Sequence, residues 1–287
     1  MGRLDLTGTG LSRLPEDIPG LSTLQELYLD RNALIELPES ISRLAGLETL
    51  SLYQNRLASL PESLWQLTGL RVLNLGENQL AEIPADIGRL SKLHTLDLGH
   101  NLLTSLPGSL GDLAGLSRYL YLSNNRLTSV PSSLGRLHQL AYLNIADNRL
   151  AELPESFGNL DGLRELRLHN NLLTSLPASI GNLSRLRELH LSHNRLVALP
   201  ESIGNLRELR ELHLRDNRLA GPPSLPESLG RLANLRRLDL RANTLQELPA
   251  SLASLTSLEK LDLRWNKLAP LPGWIERLEQ RGCAVLL

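Results

Sequence analysis

Cysteine is all but missing from this sequence: Cys283 is the only one among 287 residues. A single thiol cannot close an internal disulfide, so a reducing, cytoplasmic setting is the expected one. Charge of one sign is missing too, because 30 basic and 31 acidic residues leave a net charge of -1. No global positive field exists to draw the chain onto nucleic acid or an anionic membrane surface. Long apolar runs are absent; nothing approaches the roughly 20 residues that span a bilayer, and Met1-Gly2-Arg3-Leu4-Asp5-Leu6 carries no signal-peptide core. Leu6 stands where a myristoylation pattern needs Ser or Thr. There is no glycine-rich phosphate loop, zinc motif or nucleophile elbow, so neither a cofactor nor catalysis is expected. Aromatic residues make up only 3% of the chain, which makes their placement informative.

What the chain does have is a period. Asn32, Asn55, Asn78, Asn101, Asn125, Asn148, Asn171, Asn194, Asn217, Asn243 and Asn266 follow one another at 23 residues, with one gap of 24 and one of 26. Thr9 holds the same place in an opening copy, giving twelve units. A fixed period of this length is the mark of a repeat array that grows by stacking, so a single domain over 1–287 is expected, with repeats to about 269 and a cap over 270–287.

Within one copy, Leu24-x-x-Leu27-x-Leu29 alternates with period two and reads as a short strand whose leucines point inwards, leaving Glu26, Tyr28 and Asp30 outwards. Leu34, Leu37, Ile41 and Leu44 then return the chain through short helical or 3-10 turns. One coil cannot bury seven apolar residues alone; stacked coils can, with their strands parallel and about 4.8 Å apart. The bulkier return segments predict a curved, concave sheet. The asparagines are read as structural, since a carboxamide both donates and accepts where a turn leaves backbone groups without ladder partners. Twelve of the sixteen prolines keep register as well, and each is expected at the first position of a helical turn, with a following Glu suited to the helix dipole.

The pattern Leu-x-x-Leu-x-Leu-x-x-Asn-x-Leu-x-x-Leu-Pro-x-x-Ile-x-x-Leu resembles the 23-residue class of leucine-rich-repeat proteins over essentially the whole chain. Runs such as Leu199-Pro200-Glu201-Ser202-Ile203-Gly204-Asn205-Leu206 are similar to plant intracellular Ras-group proteins, the animal Ras-pathway scaffold, and bacterial repeat proteins and secreted effectors. The resemblance implies an α/β fold: a right-handed solenoid, or horseshoe, that binds a protein on its concave parallel sheet and has no shared catalytic residues. It adds a host cytoplasm, reached by secretion, as a second possible location, and a larger multidomain enzyme or effector as the alternative whole.

Two departures interrupt the period. One added residue in Ser117-Arg118-Tyr119 predicts a bulge before the sixth strand, and three in Ala220-Gly221-Pro222-Pro223-Ser224 predict a stiff protruding loop. At the C-terminus, Leu271 to Gly282 reads as an amphipathic helix ended by glycine, followed by a strand-like Cys283-Ala284-Val285-Leu286-Leu287, with Cys283 a packing residue. The N-terminus shows no comparable cap, so either the first coil is expected to suffice with help from Pro15 to Ile18 or a preceding segment is missing.

Function is expected in the outward residues that the fold leaves free. All five tyrosines, Tyr28, Tyr53, Tyr119, Tyr121 and Tyr142, fall at outward strand or adjacent turn positions, and Trp265 joins them in the last coil. Tyr and Trp anchor protein interfaces because they bury much area at low entropic cost. From the eighth copy the outward letters become charged and mixed in sign: Arg167, His169, His190, His193, His213, Arg215, Arg241 and Arg264, with Glu165, Glu188 and Glu211 in one column. Stacked like charges are unfavourable unless offset, so lateral pairing with Arg167, His190 and His213 is expected. His190 and His213 share a column, but no cysteine or third ligand is specified by spacing, so no metal is expected. The reading is a monomeric, non-enzymatic scaffold for a protein or peptide partner, binding neither nucleic acid nor membrane.

Overall fold

A computed structural model describes residues 2–15, 21–221 and 224–287. The chain divides into two compact units, Met1–Asn144 and Ile145–Leu287. In the first, strands β1 (Gly2–Asp5), β2 (Leu24–Tyr28), β3 (Thr49–Ser51), β4 (Val72–Asn74), β5 (Thr95–Asp97), β6 (Tyr119–Tyr121) and β7 (Tyr142–Asn144) lie parallel in chain order. In the second, β8 (Glu165–Arg167), β9 (Glu188–His190), β10 (Glu211–His213), β11 (Arg237–Asp239), β12 (Lys260–Asp262) and β13 (Ala284–Leu286) do the same. The expected parallel strands and 3-10 returns are thus present, with β13 drawn from the strand-like tail.

Period-two patterning decides which side of each strand is dry. The central leucines pair residue for residue, Leu27 with Leu50, Leu73, Leu96, Leu120 and Leu143 in the first unit, and Leu166 with Leu189, Leu212, Leu238 and Leu261 in the second. In the fourth coil Leu70, Leu73, Leu75, Leu80, Ile83, Ile87 and Leu90 are all buried, the seven inward residues that the pattern requires. Each such side chain is stabilised by about 1.5–3 kcal/mol on leaving water.

The asparagines close the coils. Asn55 Oδ1 accepts from Leu34 N of the preceding coil at 3.0 Å, while its Nδ2 donates to Leu29 O at 2.9 Å and to Leu52 O of its own coil at 3.0 Å. The ladder therefore runs from side chain to backbone, coil to coil. Thr9 donates to Leu6 O at 2.8 Å, standing in for the amide. The residue before each asparagine has a left-handed backbone, from Arg31 at φ 54° to Trp265 at φ 61°, which lets the chain leave the strand sharply.

The prolines need correction. The ten from Pro38 to Pro249 each precede a 3-10 turn with an extended backbone, as Pro38 does (φ -74°, ψ 151°), and its carbonyl accepts the first turn bond, Ile41 N to Pro38 O at 3.0 Å. They sit at the cap, where ψ near 150° is the conformation their ring tolerates well. The following glutamates act between coils: Glu155 accepts from Ala178 N at 3.2 Å and Ser179 N at 3.0 Å, and Glu227 likewise from Ala250 and Ser251.

Helix α1 (Trp274–Gln280) is shorter than expected because Pro272 and Gly273 lie ahead of its first turn; it buries Trp274, Ile275 and Leu278. Gly282, at φ 90°, ends it, and Cys283 is buried with its thiol pushed up by that burial. The added residue near β6 is absorbed before the strand: Arg118 N and Tyr119 N both bond to His94 O, and the β5–β6 register is unbroken. Of the second insertion, 222–223 lie outside the described residues, as do 16–18 of the suggested N-terminal support. The flank Ser224 is buried and accepts from Leu199 N at 2.9 Å.

Candidate functional site

The outward face of the first unit gathers three tyrosines. β6 carries Tyr119 and Tyr121 two residues apart, hence on one face, and register sets Tyr142 of β7 beside Tyr119. Ring centroids lie 5.9 Å apart for Tyr119–Tyr121, 5.6 Å for Tyr119–Tyr142 and 5.2 Å for Tyr121–Tyr142. Tyr119 remains 44% exposed. Tyr28 shares the column of Tyr121 but is four strands away, about 19 Å. It packs under Arg3, whose guanidinium carbon is 4.7 Å from the ring centroid, and its hydroxyl donates to Glu26. Tyr53, on the turn after β3, donates to Glu77 at 2.6 Å. The structure thus joins three of the five tyrosines and leaves Tyr28 and Tyr53 in separate polar settings.

Beside the cluster, Asp97 was not picked out from sequence. It pairs in register with Tyr121, accepts from Gly99 N at 2.8 Å, and has its carboxyl pushed up by burial. Gly76 and Gly99 leave room for it, since a Cβ at either would come within 3.2 Å of its carboxylate. Those glycines at outward positions are the signal that could have found it.

In the second unit ion pairs run both along strands and across them, and Arg167, His190 and His213 each pair with a glutamate of the column, most closely on their own strand. Arg167 Nε donates to Glu165 at 2.6 Å, His190 Nε2 lies 3.3 Å from Glu188, and His213 Nε2 lies 3.1 Å from Glu211. Residues i and i+2 of a strand face the same way, so the partner on the same strand is as near as the one next door. Lateral contacts to the same glutamate column are His190–Glu165 at 4.0 Å and Arg237–Glu211 at 3.3 Å. His190 and His213 stack with centroids 4.7 Å apart. Burial first, then His213, Arg167 and His169, lower the His190 pKa to about 3. His169 is lowered as well, chiefly by burial, 3.8 Å from Asp147.

Arg215, Arg241 and Arg264 form one column just beyond β10, β11 and β12. Arg241 Nη2 donates to Asp239 at 2.6 Å, and Arg264 holds Asp262 through two bonds at 2.9 and 2.8 Å. Asp262, with only 3% of its side chain exposed, is the organising acid. Burial alone would raise its pKa, but the Arg264 hydrogen bonds and the charge of Arg241 outweigh this and lower it. Trp265 occupies the left-handed turn position, is 65% exposed, and lies beneath Arg215 at 5.9 Å and Arg264 at 5.7 Å. His193, at the same turn position two coils before Ala242, pairs with Asp216 at 3.1 Å.

This geometry can be set beside known proteins. Family models described as leucine rich repeat match residues 22–80, 68–127 and 225–268, and one described as a leucine-rich repeat region matches 117–219. The chain belongs to the leucine-rich-repeat family. Among solved structures, this repeat protein is similar to a leucine-rich-repeat protein of Leptospira interrogans, with 32% identity and a TM-score of 0.75 over 96% of this chain and 76% of that one. It is also similar to a TDR receptor, with 30% identity and a TM-score of 0.81 over 93% of this chain and 52% of that one. A third is the Arabidopsis receptor kinase HAESA in complex with the peptide hormone IDA and the co-receptor SERK1, with 28% identity and a TM-score of 0.72 over 93% and 54%. The chain spans about half the length of the latter two. No curated protein sequence matches it. Among the described residues, no helix is long and apolar enough to cross a membrane.

Proposed function

We propose that this leucine-rich-repeat chain is a non-catalytic, monomeric scaffold that binds a protein or peptide through the outward side chains of its strands, in a cytoplasm. The observation that carries the reading is the cluster of Tyr119, Tyr121 and Tyr142: three packed rings on a strand face, one of them 44% exposed, in a chain whose central strand leucines are buried in the coil interior. Such rings form interface anchors, giving large desolvated area while their hydroxyls hold polar partners at the rim. The charged column of the second unit supplies orientation more than affinity, because most of its charges already have partners within the chain. A nucleic-acid partner is disfavoured by the net charge of -1. Peptide binding by HAESA, named in its complex, is consistent with the reading.

Crosslinking and mass spectrometry in the source cell would identify the partner. Tyr121→Ala combined with Tyr142→Ala should then abolish its pull-down while leaving the melting temperature nearly unchanged. Undiminished pull-down by a folded double variant sinks the tyrosine anchor. A second reading, that the chain is the repeat region of a longer enzyme or effector, is supported by its spanning half the length of the TDR receptor and HAESA. The mass of the endogenous protein tests it.

A further inference from the structure

The strand face of the second unit brings together a set of ligand atoms that sequence spacing alone leaves unspecified. Glu165, Glu188 and His190 each offer one ligand atom, and these atoms all lie within 4.8 Å of one another. His190 Nε2 stands 3.3 Å from a Glu188 oxygen and 4.0 Å from a Glu165 oxygen. The convergence follows from the fold: the parallel register aligns Glu165 with Glu188, while Glu188 and His190, two residues apart on β9, share its outward face.

The column is also crowded with carboxylates at this point. Glu165, Glu188 and Glu211 stack on three adjacent strands. Arg167 reaches Glu165 at 2.6 Å and Arg237 reaches Glu211 at 3.3 Å, but Glu188, between them, is bonded only to the ring of His190 among the described residues. His213 stacks flat against His190, 4.7 Å away with planes 6° apart, and so fixes the orientation of that ring.

We propose that Glu165, Glu188 and His190 form a binding site for a zinc-class divalent cation. One imidazole nitrogen and two carboxylate oxygens are a zinc donor set, with a fourth position left to water or to a partner's side chain, whereas calcium and magnesium take oxygen ligands. Bonds of about 2.0–2.1 Å in a tetrahedral site place ligand atoms roughly 3.3 Å apart. The three groups must therefore close by roughly 1 Å, a movement open to the partly exposed carboxylates of Glu165 and Glu188 by rotamer adjustment around a fixed His190 ring. Arg167 keeps the Glu165 oxygen it now holds or yields it to the metal; the carboxylate has two oxygens to divide between them.

The test is titration of the full, metal-stripped chain with zinc chloride, followed by calorimetry and by thermal melting. The expected result is one saturable site and a rise in melting temperature with zinc, with no rise from calcium at the same concentration. His190→Asn and Glu165→Gln should each weaken zinc binding at least about 10-fold, since even loss of a group supporting a ligand brings 10–100-fold. His138→Asn, at an exposed position in the other unit, should bind zinc as the parent does. Circular dichroism confirms that each variant folds; because Glu165→Gln keeps the shape of the side chain, a folding failure of His190→Asn leaves the site testable. Absence of saturable zinc binding, an equal response to calcium, or unchanged affinity in folded Glu165→Gln overturns the site.

Discussion

The rings of His190 and His213 lie face to face, centroids 4.7 Å apart and planes 6° apart, in the midst of glutamates. Stacking of this kind suits neutral imidazoles. Burial, followed by the neighbouring His213, Arg167 and His169, lowers the His190 pKa from 6.5 to about 3. An unfolded chain has a histidine near 6.5. Between those values the unfolded state binds a proton that the folded state refuses, so this residue makes stability fall as pH is lowered from about 6.5 towards 3. Above that window its contribution to the pH slope vanishes. Urea midpoints measured from pH 7 to 4 should therefore decline, and His190→Asn should flatten the decline. Nuclear magnetic resonance should show the His190 ring unchanged from pH 7 to 5; a titration midpoint near 6.5 contradicts the burial argument.

How much of this was legible in the sequence depends on how many positions a feature needs. Leu73 at the centre of β4 and Asn55 in the turn after β3 were legible because the period alone fixes them. The tyrosines were legible as one outward zone of five, whereas register, with the residue added in Ser117-Arg118-Tyr119 absorbed ahead of the strand pairing, joins only Tyr119, Tyr121 and Tyr142. Pro38 was read one place too far into its turn because helix and cap share the same residue preferences at that point. Asp262 reads in the sequence as one more charged outward letter, and only the convergence of Arg241 and Arg264 shows its burial. The meeting of Glu165, Glu188 and His190 required both alternation along a strand and alignment across strands. Spacing along the chain expresses only the first.

Asparagine substitution tests the ladder. Asn171 is buried; its Oδ1 accepts from Leu150 N at 3.0 Å, and its Nδ2 donates to Ile145 O at 2.9 Å and Leu168 O at 3.1 Å. Alanine there strands backbone groups with no water to replace the amide. The expected cost is about 1–3 kcal/mol, read as a lowered urea midpoint. An unaltered midpoint means that the ladder carries no stability.

Glycine has a different duty on the return side of the coils. A Cβ at Gly181 would collide with the main-chain oxygen of Ser202 and lie 2.7 Å from its Cβ, and the same clash recurs at Gly158, Gly204 and Gly230 against Ser179, Ser228 and Ser251. Gly181→Ala should therefore cost about 1–3 kcal/mol by forcing adjacent coils apart. Gly273 provides the contrast: its φ is -62°, and nothing lies within 4 Å of an added Cβ. Gly273→Ala should be near neutral. Equal melting temperatures for the two variants would show that coil spacing is not set by these glycines.

The left-handed turn before each asparagine offers the opposite kind of prediction, a gain. Residues as unlike as Arg31, Glu77, His193, Ala242 and Trp265 occupy it, with φ between 51° and 61°. Their diversity hid the position from sequence reading, yet the backbone strain is common to all. An L-residue pays for this conformation because its Cβ crowds the following carbonyl; asparagine pays less, since its short polar side chain bonds locally. Asn124 and Asn170 already use that solution. Alanine at 242 has neither the freedom of glycine nor the side-chain bond of asparagine. Ala242→Asn should therefore raise stability by about 0.5–1 kcal/mol, and Ala242→Val should lower it, because a β-branched residue fits this region worst. Matched urea denaturation of the two variants decides the matter: the same midpoint for Asn and Val at 242 would mean that the turn is not strained.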